Sequence, residues 1–306
     1  MSHPQTAAAR WARMLLFVVP LLWSSNYIIA RLADGVIAPH ALAAGRWLLA
    51  AGLLLPFVGA VLWRQRLVVR SEWPHLLVLG VLGMYICGIG PYYAGQSTTA
   101  NNMALIYAAT PLAIAVSGTL LLHEKMRPSQ WLGVVMALLG LLFVIAKGDL
   151  SRLLDVRFAR GDLWAVFAAA AWTAYSVLLK RWGSALGPAE RLVAIIAGGL
   201  VVLVPAAGVE ALLASASLTT AAPMWSWKAS ALVLAAAVLP GVLSYGAYSF
   251  MQRELGASRT ALMLYLAPVY AAALAWLLLG ERPGWYHLAG AALILPSIWL
   301  ATRPGR

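Results

Sequence analysis

Long apolar runs of about 20 residues, each closed by a short polar or charged segment, recur along the whole chain. That length carries an α-helix across the hydrocarbon core of a bilayer. The pattern predicts ten helices, at roughly residues 14–33, 40–62, 74–96, 101–122, 129–147, 162–181, 189–209, 228–251, 257–279 and 285–302. The runs do not alternate apolar with polar residues, as the strands of a spanning barrel would in segments of about 10. Connections are short, with no room for an inserted soluble domain. The longest are KGDLSRLLDVRFARGD (147–162), expected to include a short amphipathic helix on the membrane surface, and EALLASASLTTAAPMWSWK (210–228). The first run follows Arg10 and Arg13, as a secretory signal would. It also holds Trp23, Ser24, Ser25 and Asn26 and precedes nine more runs, so it is expected to stay as the first spanning helix.

The runs repeat. PLAIAVSGTLLLHE (111–124) begins at a proline and stops at a glutamate, and PVYAAALAWLLLGE (268–281) does the same at the same spacing. An offset of 149 places Trp23 on Trp172, Arg31 on Lys180, Pro39 on Pro188 and Pro56 on Pro205. An offset of 157 places Ala104 on Ala261, Leu105 on Leu262, Pro111 on Pro268, Glu124 on Glu281 and Gly133 on Gly290. The chain therefore reads as two five-helix halves, 1–147 and 162–306, joined by a connection at 148–161. Five is odd, so the second half enters the membrane from the opposite side, an inverted-topology repeat of the kind transporters use. Pro111 and Pro268 are expected to kink or hinge their helices. Glu124 and Glu281 are expected to end their spans in the hydrated interface beside Lys125 and Arg282.

Composition fixes the solvent. Of 306 residues 62% are hydrophobic and 10% charged, against about 25% charged in an average soluble domain. The net charge of +12 would suit nucleic acid, but the basic residues stand dispersed at the ends of the runs. With the N-terminus inside, 14 of the 22 Lys and Arg face the cytoplasm and 6 face out, while Arg31 and Arg46 lie within helices. Positive charge is retained on the cytoplasmic side, which puts both termini inside. Cys87 is the lone cysteine and forms no internal disulfide.

A substrate site in such a repeat lies near mid-membrane between the halves. Deep polar and aromatic residues at helical spacing mark it: Trp23 with Asn26 and Tyr27; Tyr85 with Tyr92 and Gln96; Tyr107 with Thr110 and Ser117; Trp172 with Tyr175; Tyr245 with Tyr248 and Gln252; and Tyr265 before Pro268. Each face reads equally as cavity lining or as helix packing. Trp63, Trp73, Trp131, Trp225, Trp227 and Trp285 read as interfacial anchors. Gln96, Asn101, Asn102 and Gln252 lie near helix ends and read as caps. Arg46 lies about two turns from the outer end of the second helix. It reads either as a contact for a substrate carboxylate or as a snorkelling side chain with its head in the interface.

LLWSSNYIIARL, ALIYAATPLAIAVSGTLLLHEK, ALMLYLAPVYAAALAWLLLGER and LAGAALILPSIWLA resemble the repeats of the EamA branch of the drug/metabolite transporter superfamily. Within it the chain is most similar to the YddG-type amino-acid exporters. The resemblance covers essentially the whole chain. It implies an all-α integral membrane protein of ten helices, alternating access, and export of small metabolites from a bacterial inner membrane, with aromatic amino acids the leading substrate. The lipid bilayer and a small molecule are the expected partners, the protein is expected to be monomeric, and no cofactor or metal is implied. His123 stands where the family has glycine, and Pro296 where it often has a small residue.

Rival functions ask for residues found elsewhere in the chain or not at all. A carrier of phosphorylated sugars would place several Lys or Arg deep in the spans. A membrane enzyme would need buried acid–base pairs, yet all ten acids and five histidines fall at loops or span ends. A structural or receptor role has no need of two-sided symmetry. The same placement of acids leaves no titrating group for ion coupling within the spans, so transport down the substrate's own gradient is expected. A reporter that works only outside the cytoplasm, fused after Arg306, should be silent; activity would reverse the orientation.

Overall fold

The computed structural model describes residues 7–33, 35–95, 106–107, 109–154, 159–216, 226–279 and 284–302. All regular structure among them is helical. The elements are α1 (Ala7–Ala33), α2 (Pro39–Arg64), α3 (Arg66–Gly80), a π-helical turn (Val81–Ile86), α4 (Cys87–Gly95), α5 (Thr110–Leu121), α6 (Pro128–Ile145), a 3-10 turn (Leu150–Leu153), α7 (Arg160–Arg181), α8 (Pro188–Ala216), α9 (Trp227–Ala237), a second π-helical turn (Val238–Leu243), α10 (Ser244–Leu255), α11 (Ala257–Ala261), a 3-10 stretch (Leu262–Leu266), α12 (Ala267–Leu279) and α13 (Trp285–Thr302). Pro39, Pro128 and Pro188 each open a helix, where the missing N–H has no intrahelical partner to lose.

Seven helices among the described residues are long and apolar enough to cross a membrane: Ala7–Asn26, Pro39–Arg64, Arg66–Pro91, Pro128–Ile145, Arg160–Arg181, Pro188–Leu213 and Trp227–Leu255. Three predicted spans are not among the seven: the described helix of the fourth is Thr110–Leu121, the ninth changes to a 3-10 stretch at Leu262–Leu266, and the tenth is Trp285–Thr302. Pro111 does not kink a continuous helix. It stands in the first turn of α5, a helix of 12 residues. Pro268 likewise stands second in α12, after the 3-10 stretch. A proline in the first turn of an α-helical segment costs no α-helical hydrogen bond there, and at Pro268 the preceding turn is 3-10 within a continuous helical run. The connection expected to carry an amphipathic helix holds only the 3-10 turn, fixed by Asp149, whose Oδ1 accepts from Ser151 N and Oγ.

The two π-helical turns were not foreseen. Val81–Ile86 and Val238–Leu243 lie 157 positions apart, the same offset that aligns the proline-to-glutamate runs. A π-helical turn widens the helix and turns carbonyls away from their usual donors, and it often marks a functional site. Side chains answer here. Tyr245 Oη donates to Gly83 O at 3.0 Å, and Trp47 Nε1 donates to Met84 O at 3.1 Å. Ser244 Oγ donates to Leu239 O at 2.8 Å in the second turn.

Acids at span ends hold one half to the other. Glu124 does not simply end its helix in solvent. Its Oε1 accepts from Ala257 N at 2.8 Å and its Oε2 from Ser258 N at 3.0 Å, capping α11. Gly256, at φ +89°, makes the turn into α11, and the carboxylate fills the space a Cβ would need there. Glu210 on α8 caps α2 through His40 N (3.0 Å) and meets His40 Nδ1 at 2.9 Å. Glu72 on α3 accepts from Ala185 N and Ser184 Oγ before α8. Glu281 and Arg282 lie outside the described residues. His123 adopts φ +54°, in the left-handed region that favours glycine.

Small residues allow the closest crossings, as in other membrane bundles. A Cβ on Gly80 would fall on the backbone of Ile195, Gly198 and Gly199 in α8, and one on Gly140 in α6 would meet Ile294 and Gly290 of α13. Gly80→Ala should therefore cost about 1–3 kcal/mol through overpacking, read as a lower thermal midpoint of the detergent-purified protein. Gly52→Ala, with nothing within 4 Å of the new methyl, should not lower it.

Candidate functional site

An aromatic cluster sits where α1, α2, α7 and α10 meet. Trp23 of α1 lies edge-on to Trp172 of α7 (centroids 5.2 Å apart) and to Tyr245 of α10 (5.8 Å), and it tilts against Tyr248 (5.3 Å). Trp172 stacks on Tyr175 at 5.2 Å. Trp47 of α2 meets Tyr245 edge-on at 5.0 Å. Helical spacing explains the convergence: Trp172 and Tyr175, and Tyr245 and Tyr248, are three apart and share a face. The first π-helical turn forms one wall, since the Tyr175 ring packs where a Cβ of Gly83 would stand.

Hydroxyls divide into two groups. Tyr248 Oη lies 2.8 Å from Ser176 Oγ and accepts from Gln252 Nε2 at 3.0 Å, and the same amide nitrogen donates to Ser176 O at 3.2 Å. Gln252 is thus buried in a polar bridge between α7 and α10, not a helix cap. In contrast, Trp172 Nε1 and Tyr175 Oη are buried without a hydrogen-bond partner. Leaving such a group unpaired costs about 1–3 kcal/mol each, so both are buried donors that no described protein group satisfies.

Arg46 does not snorkel. It is 6% exposed, its guanidinium carbon lies 4.3 Å from the centroid of the Trp47 ring, and Nη1 donates to Asn26 Oδ1 at 3.4 Å. Its Nε has no partner, and no described acid contacts it. Trp47 explains the position: anchored by Met84 O and the Tyr245 ring, it holds the cation by its π face and keeps it inside.

The predicted site residues separate accordingly. Trp23, Trp172, Tyr175, Tyr245 and Tyr248 come together, and Arg46 and Asn26 join them through Trp47. Tyr85 packs against the same buried core, with its ring 6.3 Å from that of His40. Tyr265 belongs to a separate core with Val134, Ala137, Leu141 and Ile294. Tyr107 is half-buried ahead of α5. The side chains of Tyr27, Tyr92 and Pro268, with Gln96, Asn101 and Asn102, lie outside the described residues. Trp63, Trp227 and Trp285 are exposed at helix ends, as anchors should be. Sequence reasoning missed Trp47 and Ser176; a tryptophan far from either end of a span, beside the deep Arg46, was the available signal.

The chain matches the EamA-like transporter family over residues 10–146 and again over 159–303. An uncharacterized transporter of Archaeoglobus fulgidus is 24% identical, over 94% of this chain and 96% of that one. The threonine/homoserine exporter RhtA of Salmonella typhimurium is 28% identical, over 82% of this chain and 78% of its own. A protein crystal structure at 20% identity has a TM-score of 0.74, covering 95% of this chain and 97% of that one, which shows a shared fold.

Removing the orphan hydroxyl should stabilise the empty protein: Tyr175→Phe should raise its thermal midpoint, up to the equivalent of about 1–3 kcal/mol. Tyr248→Phe breaks the bridge to Ser176 and Gln252 and should lower it by a similar amount. The same melting measurement reads both.

Proposed function

The chain belongs to the EamA-like transporter family, and on that premise we propose that it is an alternating-access exporter of neutral amino acids with apolar or aromatic side chains. One observation carries the proposal. Aromatic faces from both matched segments surround unspent donors, Trp172 Nε1 and Tyr175 Oη, and a buried cation, Arg46. A side chain would lie among the rings. The ammonium would rest over a ring face, and the carboxylate would take the free donors. RhtA is named for threonine and homoserine; the number and size of the rings here favour a larger, less polar side chain, as the YddG-type resemblance implies.

The architecture we propose is ten spans in two inverted five-helix halves, 1–147 and 162–306, with both termini cytoplasmic in a bacterial inner membrane. The offset shared by the π-helical turns and the proline-to-glutamate runs supports it. So does the clustering of span ends: Glu72 meets the 184–185 turn, Arg181 donates to Leu121 O, Lys180 Nζ to Gln252 O, and Glu124 caps α11. At the other end His40 meets Glu210, and Tyr93 stacks on Trp164. Such alternation is what helices crossing in turn produce. Ser24 of α1, within 2.9 Å of Ala267 O, holds the start of α12 against the first half, where a moving element would be restrained.

Vesicles containing the purified protein should move labelled phenylalanine, tryptophan or leucine down a concentration gradient at symmetric pH and sodium. Trp172→Ala and Tyr245→Ala, correctly folded by size exclusion, should each slow that flux by about tenfold or more, the size expected on losing about 1.4 kcal/mol of binding. Normal flux in both variants would make the rings packing only, and flux that appears only under an ion gradient would refute the uncoupled mechanism.

A further inference from the structure

We infer that the site recognises its substrate by the carboxylate and is indifferent to the α-ammonium, so that small aryl-bearing carboxylic acids without an amino group are carried as well. The inference rests on the site proposed above and sharpens its chemical class.

The observation is a charge imbalance. Arg46 brings a permanent positive charge into the bundle and spends one N–H on Asn26 Oδ1, through a long contact. Its Nε–H has no acceptor. An arginine offers five N–H donors in a planar fork matched to a carboxylate. The side chain cannot withdraw to water, because Trp47 holds it from one face and is itself held by Met84 O and Tyr245. A buried cation fixed in place without a counter-ion is costly to maintain and is relieved by an anion from outside the protein.

Nothing comparable faces an ammonium. The described acids stand at helix ends: Glu72 on Ser184 and Ala185, Glu124 on Ala257 and Ser258, Glu210 on His40, Asp162 on Ala159 N, Asp149 on Ser151, Glu254 on Arg253, and Glu190 in the first turn of α8. The groups around the cluster are ring faces, one indole N–H and phenol hydroxyls. A ring face attracts a cation, but it accepts a methylene or an aryl edge in the same place. Loss of the ammonium therefore removes a modest attraction and exposes no unpaired protein acid. Loss of the carboxylate leaves Arg46 unanswered and sets a lone amine against it.

The test uses vesicles loaded with labelled phenylalanine, or with labelled 3-phenylpropanoate, at pH 8, with protein-free vesicles subtracted for passive leak. Unlabelled 3-phenylpropanoate should compete for phenylalanine flux within about tenfold of phenylalanine itself, a difference of about 1.4 kcal/mol or less, and should be carried. Phenylethylamine, which keeps the amine and lacks the carboxylate, should not compete at the same concentration. Arg46→Gln should weaken both carboxylates together, and Arg46→Lys, which keeps the charge, should restore part of the affinity. Both variants are first checked for an unchanged elution volume and melting profile. Should Arg46→Gln not fold, the competition series on the unaltered protein decides. Phenylalanine flux with no competition from 3-phenylpropanoate would overturn the inference and leave the amino-acid site standing. Equal competition by phenylethylamine would overturn it too. Carriage of 3-phenylpropanoate without phenylalanine would support it while the amino-acid reading fails. Flux of neither would overturn both.

Discussion

In hydrocarbon, every backbone N–H and C=O needs a protein partner, because no water is there to supply one. A plain α-helix meets that demand alone. This chain departs from the plain helix at the π-helical turns, before Pro111 and at the 3-10 stretch before Pro268, and where the structure describes such a departure a side chain answers it. Tyr245 and Trp47 take the carbonyls of Gly83 and Met84, Ser244 takes that of Leu239, and Glu124 takes the first N–H groups of α11. The aromatic cluster sits against one of these repairs. Tyr245 both mends the backbone and lines the site, and Trp47 both mends it and holds Arg46.

The same demand explains where the charges go. Three glutamates, at positions 72, 124 and 210, reach from one matched segment to backbone N–H groups of the other. A carboxylate there completes a helix end and answers its positive pole. These acids hold the segments together at the helix ends and away from the aromatic cluster. Two guanidiniums remain near the rings: Arg191, which donates to Trp182 O and lies towards Tyr175, and Arg46, held against Trp47 with no described acid in contact.

Much of this was legible in the sequence. The apolar runs predicted helices, and the shared offsets predicted that the chain repeats. Aromatic pairs three residues apart predicted Trp172 with Tyr175 and Tyr245 with Tyr248, since a helix fixes that neighbourhood locally. What escaped depends on contacts between distant segments. Pro111 and Pro268 were visible, but a proline reads alike as an interior kink or as the first residue of a helix; only the neighbouring backbone decides. Glu124 read as solvated because its partners lie 133 positions away. The π-helical turns leave no mark in the hydrophobic pattern, since one extra residue in a fully apolar run changes no periodicity that composition can reveal. Arg46 read either as a carboxylate contact or as a snorkelling side chain, and the second route is closed by Trp47, which the pattern did not single out.

The two π-helical turns occupy matching positions, yet they are fastened differently. The first is secured by Trp47 and Tyr245, side chains of separate helices, one of them in the other matched segment. The second is secured by Ser244, five residues along its own helix. Unfastening the first therefore requires two other helices to part from it, whereas the hydrogen bond that secures the second lies within its own helix. Two matching joints thus differ in what fastens them: one is tied across helices, the other along its own. Position in the repeat is thus symmetric while the fastening is not, and a substitution at Tyr245 loosens the first joint with no counterpart at the second.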